Sequence, residues 1–174
     1  MGNIYVITGN GEGKTRLALG MGVRSLGHGH DVALIRFLKW KDSGECKFGI
    51  ERFGTWVPIG VSNRWKSRDE LDVKFWRHMS EDSLLLAKHL VESRSTLRLL
   101  INYDELVLAE AWGIIDIDTV CKTLESIKKE YPYVNQVVTG RYASESMENL
   151  ADFVMEINQK KSPKEMICVE GINF

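Results

Sequence analysis

Cysteine is scarce in this chain: Cys46, Cys121 and Cys168 are odd in number, far apart and without a C-x-x-C pair, which argues against a disulfide framework or a thiolate metal site. An excess of charge of either sign is lacking too. Lys and Arg number 23 against 24 Asp and Glu, a formal net charge of −1, so there is no general electrostatic reason to bind nucleic acid or an anionic membrane. No apolar run approaches the ~18 residues that a membrane span needs. Met1 leads almost directly into an apolar strand, leaving no room for a signal peptide, and a cytoplasmic protein is expected. Internal repeats and low-complexity segments are also absent. With 44% hydrophobic and 27% charged residues over 174 positions, the chain has the makeup of one globular domain spanning 1–174, large enough to bury a core without disulfides.

What is present is an alternation of strand and helix patterns. Ile4-Tyr5-Val6-Ile7 reads as a strand, and Arg16 to Leu26 carries Leu17, Ala18, Met21 and Leu26 at roughly helical spacing. Gly27-His28-Gly29-His30 should end that helix, and Asp31 to Phe37 forms a second buried strand. Trp40 to Glu51 is a loop, Arg52 to Ile59 a candidate third strand, and Gly60 to Arg68 irregular. Leu71 to Val91 is a helix with its apolar residues on one stripe. Leu97 to Tyr103 is a strand running straight into Asp104-Glu105. Asp116 is a plausible N-cap for a helix bearing Ile117, Val120, Leu124 and Ile127. Gln136 to Thr139 is a strand, Met147 to Ala151 a helix, and Phe153 to Ile157 a last strand. The pattern predicts an α/β fold, a mainly parallel sheet flanked by helices in three layers as in P-loop NTPases. Ligands of such sheets sit outside the C-terminal strand ends.

Three polar groups fall at those ends. Thr8-Gly9-Asn10-Gly11-Glu12-Gly13-Lys14-Thr15 lies between a strand and a helix, the context a phosphate-binding loop requires. Glycines at 9, 11 and 13 allow backbone N–H groups to turn inward around an anion, and the helix N-terminus adds partial positive charge. Lys14 can reach the outer phosphates, and Thr15 can offer its hydroxyl to Mg²⁺. The loop departs from the general pattern at its first glycine, which here is Thr8. Asp104 and Glu105 occupy the place of a second acidic motif that holds Mg²⁺ directly or through water. Arg141, after Thr139-Gly140, can fix a phosphate oxygen with its planar fork. The histidines add little, since His28 and His30 share a turn and a spacing that is a poor metal signature.

Together these residues resemble the ATP:corrinoid adenosyltransferase family along nearly the whole chain. The loop at 8–15 is similar to the family's, including its initial Thr, as are Leu26-Gly27-His28-Gly29 and Arg36-Phe37-Leu38-Lys39 around the second strand. Tyr103-Asp104-Glu105-Leu106 resembles the family's Leu-Asp-Glu-Leu. Thr139-Gly140-Arg141-x-Ala143, Leu150-Ala151-Asp152-x-Val154-x-Glu156 and the terminal Gly171-Ile172-Asn173-Phe174 are similar to its later segments.

The resemblance implies a reaction in which Co(I) of a reduced corrinoid, cob(I)alamin or a precursor, attacks the 5′ carbon of ATP and triphosphate leaves. It implies nucleotide binding by Gly9, Asn10, Gly11, Glu12, Gly13, Lys14 and Thr15, with Arg36, Lys39, Arg141 and Trp65 as further substrate contacts. Thr15, Asp104 and Glu105 would hold Mg²⁺, and Lys14, Glu105 and Arg141 would carry catalysis. A homodimer and a flavoprotein reductant are implied as well. Two other readings keep the loop: a P-loop kinase or NTPase that cleaves the terminal phosphate, and a non-catalytic protein holding ATP or an adenosylcorrinoid.

The chain departs from the family where the corrinoid's lower ligand is displaced. A Gly-Phe-Thr-Trp-like segment is replaced by Gly60-Val61-Ser62-Asn63, with Trp65 two positions on and Trp40 or Trp56 as other aromatic covers. Glu12 stands where many relatives have Lys; its charge beside phosphates would cost about 1 kcal/mol if exposed, unless it points to solvent. The tail at Lys160-Lys161-Ser162-Pro163-Lys164 is shorter than the family's and lacks its His after Lys.

Overall fold

A computed structural model of the chain describes residues 2–38, 44–45, 55–57, 72–93, 98–163, 169 and 172. Its frame is a sheet of six strands: β1 (Ile4–Thr8), β2 (Asp31–Arg36), β3 (Thr55–Val57), β4 (Leu99–Asp104), β5 (Val134–Thr139) and β6 (Phe153–Glu156). Their order is β3-β2-β4-β5-β1-β6, and every neighbouring pair is parallel. Among the described residues the helices between them are α1 (Lys14–Gly27), α2 (Val73–Ser93), α3 (Leu106–Ala111), α4 (Ile117–Glu130) and α5 (Glu145–Leu150). The expected parallel α/β architecture is borne out. No described helix is long and apolar enough to cross a membrane.

Side chains of a strand alternate between faces, and the two faces bury separate apolar clusters. On one face Ile4, Val6, Ala33, Ile35, Leu99, Ile101 and Val138 meet Leu84 and Val91 of α2, Val107 of α3, Leu124 and Ile127 of α4 and Met147 of α5. On the other, Ile7, Val32, Leu100 and Val137 meet Ala18, Met21 and Leu26 of α1. Burial on both faces is why the inner strands read as nearly continuous apolar runs.

Two buried amides interrupt that apolar surface, each with a donor's partner. Asn102, wholly buried, donates through Nδ2 to Ala18 O of α1 at 3.1 Å. On the opposite face the Tyr103 hydroxyl donates to Gln136 Oε1 at 3.1 Å, and Gln136 Nε2 donates to Leu124 O of α4 at 3.0 Å. These bonds tie helices to strands at set heights. Burial pushes the Tyr103 phenol far above its ordinary range, so it stays protonated and remains a donor.

The expected Asp116 cap is present, with Oδ2 accepting from Thr119 N at 3.0 Å, and Lys128 and Lys129 complement the dipole in the last turn of α4. Ser144 caps α5 in the same manner. The sequence reading missed α3, whose N-cap Glu105 is left-handed with φ 65°. Of the expected third strand at 52–59, the structure describes 55–57.

Candidate functional site

Strands β4, β5 and β1 are consecutive in the sheet, so their C-terminal ends adjoin. Register then fixes which polar residues meet: Arg36 lies opposite Asp104, Thr139 opposite Ile7, and Glu156 opposite Thr8. The three groups singled out from sequence therefore share one edge of the sheet.

The loop between β1 and α1 wraps around the ammonium of Lys14. Lys14 is 6% exposed, and its Nζ donates to Gly9 O and Gly11 O at 2.7 Å each. Gly13 caps α1 with φ 111°, a left-handed conformation that disfavours a side chain. Gly9 shares that demand, with φ 99°, and both it and Gly11 answer to a second one. A Cβ on Gly9 would stand 2.5 Å from Ile157 O, and one on Gly11 would stand 2.7 Å from Ile157 O and 2.9 Å from Gln159 N. The chain leaving β6 thus runs as a strap directly under the loop. Gly11 N donates to Ile157 O at 2.8 Å, and Ile157 N donates to Thr8 O at 2.8 Å. This corrects the expectation for Gly11: its N–H turns outward to the strap, because a neighbouring carbonyl satisfies it there.

Glu12 points to solvent. Its carboxylate lies 3.4 Å from Arg16 on an exposed helical turn, a pair worth little on its own. The charge is thereby directed away from the loop interior, and Glu12 contributes backbone to the loop.

Asp104 is fully buried at the end of β4. Its Oδ1 accepts from Thr15 Oγ1 of α1 and from Thr139 Oγ1 of β5, both at 2.8 Å, and Arg36 Nε lies 3.8 Å from Oδ2. Burying an unpaired carboxylate costs several kcal/mol, whereas each hydrogen bond to a charged group returns about 1.5–3 kcal/mol. The two threonines and the arginine are what make the burial tolerable. Thr139 also accepts from Glu105 N at 3.1 Å, holding the left-handed turn that aims Glu105 away from the strand axis. Arg36 is 2% exposed and its Nη2 reaches Glu45 Oε1 at 3.2 Å, so the structure places it within an ion-pair triad with Asp104 and Glu45.

Arg141 follows Gly140, whose φ is 151° and whose Cβ, if present, would meet Leu108 N of α3 at 2.5 Å. The turn continues with Tyr142 at φ 66° and returns to β1, where Ala143 N donates to Thr8 Oγ1 at 3.3 Å. Arg141 is partly exposed. Lys39 and Trp65, together with the side chains of Trp40 and Trp56 and the segment at 60–63, lie outside the described residues.

Sequence reasoning passed over Glu45, the Thr8 hydroxyl and the strap at 157–159. Only Thr8 had carried a signal, as a departure from the general loop pattern. A separate cavity of about 490 Å³ gathers Glu81, Glu110 and Asp116 near Arg77. Arg77 is engaged there by Ile114 O and Gly113 O, and burial raises the Glu110 carboxyl while a bond from Ser144 lowers it.

The chain's likenesses to known proteins agree with this geometry. The family model described as ATP:corrinoid adenosyltransferase BtuR/CobO/CobP matches residues 1–174. A corrinoid adenosyltransferase of Sinorhizobium sp is 33% identical over 169 residues, covering 93% of this chain and 74% of that protein. The corrinoid adenosyltransferase of Escherichia coli strain K12 is 30% identical, covering 92% of this chain and 78% of its own length. In fold, the DNA-packaging ATPase B204 of Sulfolobus Turreted Icosahedral Virus superposes with a TM-score of 0.53 at 13% identity, covering 91% of this chain and 77% of that one.

Proposed function

The chain belongs to the ATP:corrinoid adenosyltransferase family and transfers the adenosyl group of ATP to a corrinoid; we propose that the edge formed by β1, β4 and β5 is where it does so. The observation that carries this reading is the meeting of Thr15 and Asp104, which are 89 positions apart in sequence, at 2.8 Å beside a loop closed around Lys14.

The residues take distinct parts. The loop from Gly9 to Thr15 receives the triphosphate, and Lys14 exchanges its two carbonyl partners for phosphate oxygens. Arg141 contacts a phosphate oxygen. Once engaged with the phosphates, Lys14 and Arg141 stabilise a leaving group of high charge. The reaction requires no protein nucleophile, because Co(I) of the reduced corrinoid attacks the 5′ carbon and the C–O bond to triphosphate breaks. What the protein supplies is the alignment of the two substrates.

Thr15, Asp104 and Glu105 offer hard oxygen donors, the chemistry that suits Mg²⁺. No cluster of three His, Cys, Asp or Glu exists among the described residues, so phosphate oxygens would complete such a site. When bound there, Mg²⁺ neutralises charge on the triphosphate. A cytoplasmic homodimer served by a flavoprotein reductant completes the reading.

Anaerobic turnover of ATP, Mg²⁺ and chemically reduced cobalamin tests the site. Triphosphate and a light-sensitive Co–C product are expected, with Lys14→Ala weakening ATP binding and Glu105→Gln impairing Mg²⁺-dependent turnover. Full activity in both variants, or ADP and phosphate as products, overturns it.

A further inference from the structure

Thr8 stands where the general phosphate-loop pattern has glycine, and its side chain does something glycine cannot. It is 7% exposed at the end of β1, and its Oγ1 accepts the backbone N–H of Ala143 at 3.3 Å, 135 residues away in sequence. The turn that this bond closes is under strain. Tyr142 is a bulky residue at φ 66°, a conformation that costs about 1–2 kcal/mol for an L-residue. Gly140, two residues earlier, is held at φ 151° against the start of α3. Gly140 N donates to Ile7 O at 3.2 Å, so the turn is clamped to β1 at both of its ends, by a backbone bond at 140 and by the Thr8 hydroxyl at 143. Strained backbone persists where its surroundings over-determine it, and it gathers at functional sites.

From this geometry we infer that Thr8 is a positioning residue: its hydroxyl latches the Gly140–Ala143 turn and so sets where Arg141 stands relative to the phosphate loop. The inference rests on the reading that Arg141 contacts the triphosphate. Without the latch the turn keeps its backbone clamp at Gly140 and the packing of Ala143 on the core, but Tyr142 is free to relax toward negative φ, and the guanidinium moves with it. Thr8 touches no substrate itself. A glycine at this position would leave the loop able to bind phosphate but the arginine unanchored.

The experiment compares Thr8→Val, which keeps shape and removes the acceptor, with Thr8→Ser, which keeps the acceptor. Both are measured alone and combined with Arg141→Ala, in anaerobic turnover with ATP and chemically reduced cobalamin. Losing one such hydrogen bond corresponds to a fall of about three- to tenfold in kcat/KM for ATP. Thr8→Val is expected to show that fall in the same parameter, kcat or KM, that Arg141→Ala changes, with Thr8→Ser close to the parent protein. The Thr8→Val/Arg141→Ala double variant should be no worse than Arg141→Ala alone. Amide exchange at Ala143 should quicken in Thr8→Val and not in Thr8→Ser.

An unchanged Ala143 amide in Thr8→Val overturns the latch itself. Additive losses in the double variant overturn its action through Arg141. If Arg141→Ala leaves ATP kinetics intact, the assignment of Arg141 to phosphate fails as well, whatever the amide shows.

Discussion

Replacing Gly11 with Ala tests whether the strap after β6 is part of the phosphate loop. Gly11 does not have a left-handed φ, so its backbone would accept alanine on conformational grounds. The obstacle is contact alone: the new methyl would lie 2.7 Å from Ile157 O, 2.9 Å from Gln159 N and 3.0 Å from Asn158 C, all backbone atoms that cannot rotate aside. Overpacking of this kind costs about 1–3 kcal/mol, and parting the chains forfeits the Gly11 N to Ile157 O bond, worth roughly 1 kcal/mol. A total near 2–4 kcal/mol corresponds to a fall in melting temperature of roughly 4–16 °C for a chain of this size. If the strap undocks instead of the whole molecule loosening, the cost appears as weaker ATP binding and faster exchange of the Gly11 amide.

Gly20→Ala is the matched control. It lies within α1 with nothing within 4 Å of its Cβ position, so the exchange should stabilise by about 0.5–1 kcal/mol. Gly13→Ala meets no atom either, but its φ of 111° should cost about 1–2 kcal/mol. Thermal melts with and without ATP, together with amide exchange, read all three variants. A Gly11→Ala protein that melts, exchanges and binds ATP like the parent would refute the role given to the strap.

Asp152→Asn should flatten acid sensitivity. Hydrogen bonds from Lys128 and from Ile4 N hold the Asp152 carboxyl below its ordinary range, so its stabilisation is complete above the unfolded-state value and disappears as pH falls through the lower folded value. Denaturant titrations from pH 7 down to about pH 3 should show the gap between parent and variant closing with acid; a constant gap contradicts the assignment. Tyr103→Phe leaves Gln136 Oε1 without its buried donor and should cost about 1–2 kcal/mol in chemical unfolding with ATP affinity unchanged; a loss confined to ATP binding would refute this division of labour. Thr139→Val removes one bond to Asp104 and the acceptor for Glu105 N, so transition-state stabilisation measured as kcat/KM for ATP should fall by about 2 kcal/mol, and parent-like kinetics would exclude Thr139 from the site.

Much of this was legible in the sequence because it depends on periodicity and strand ends. Runs such as Asp31–Phe37 and Leu97–Tyr103 announce strands buried on both faces, and the loop, Asp104-Glu105 and Arg141 each follow one. The short helix α3 was illegible. Leu106-Val107-Leu108-Ala109 continues the apolar run of β4, and the break is made by the left-handed turn at Glu105, a residue type that does not advertise it. The strap was illegible for another reason: Ile157, Asn158 and Gln159 meet the loop through backbone atoms, which no residue pattern encodes. Gly9 and Gly11 stood out in the sequence as glycines that could cradle an anion; in the structure it is the protein's own chain that crowds them.

The place of β1 in the sheet has a consequence for how the protein is made. β1 pairs with β5 and β6, at residues 134–139 and 153–156, more than a hundred positions later in the chain. At synthesis rates of about 5–20 residues per second, Ile4-Tyr5-Val6-Ile7 waits roughly 6–25 seconds for β5 to follow it. Until then its edges are unpaired and the loop has no strap beneath it. A nascent chain cut short before β6 would lack the backbone that holds Gly11 N and Thr8 O, so the loop takes its final form only once residues far apart in sequence have met.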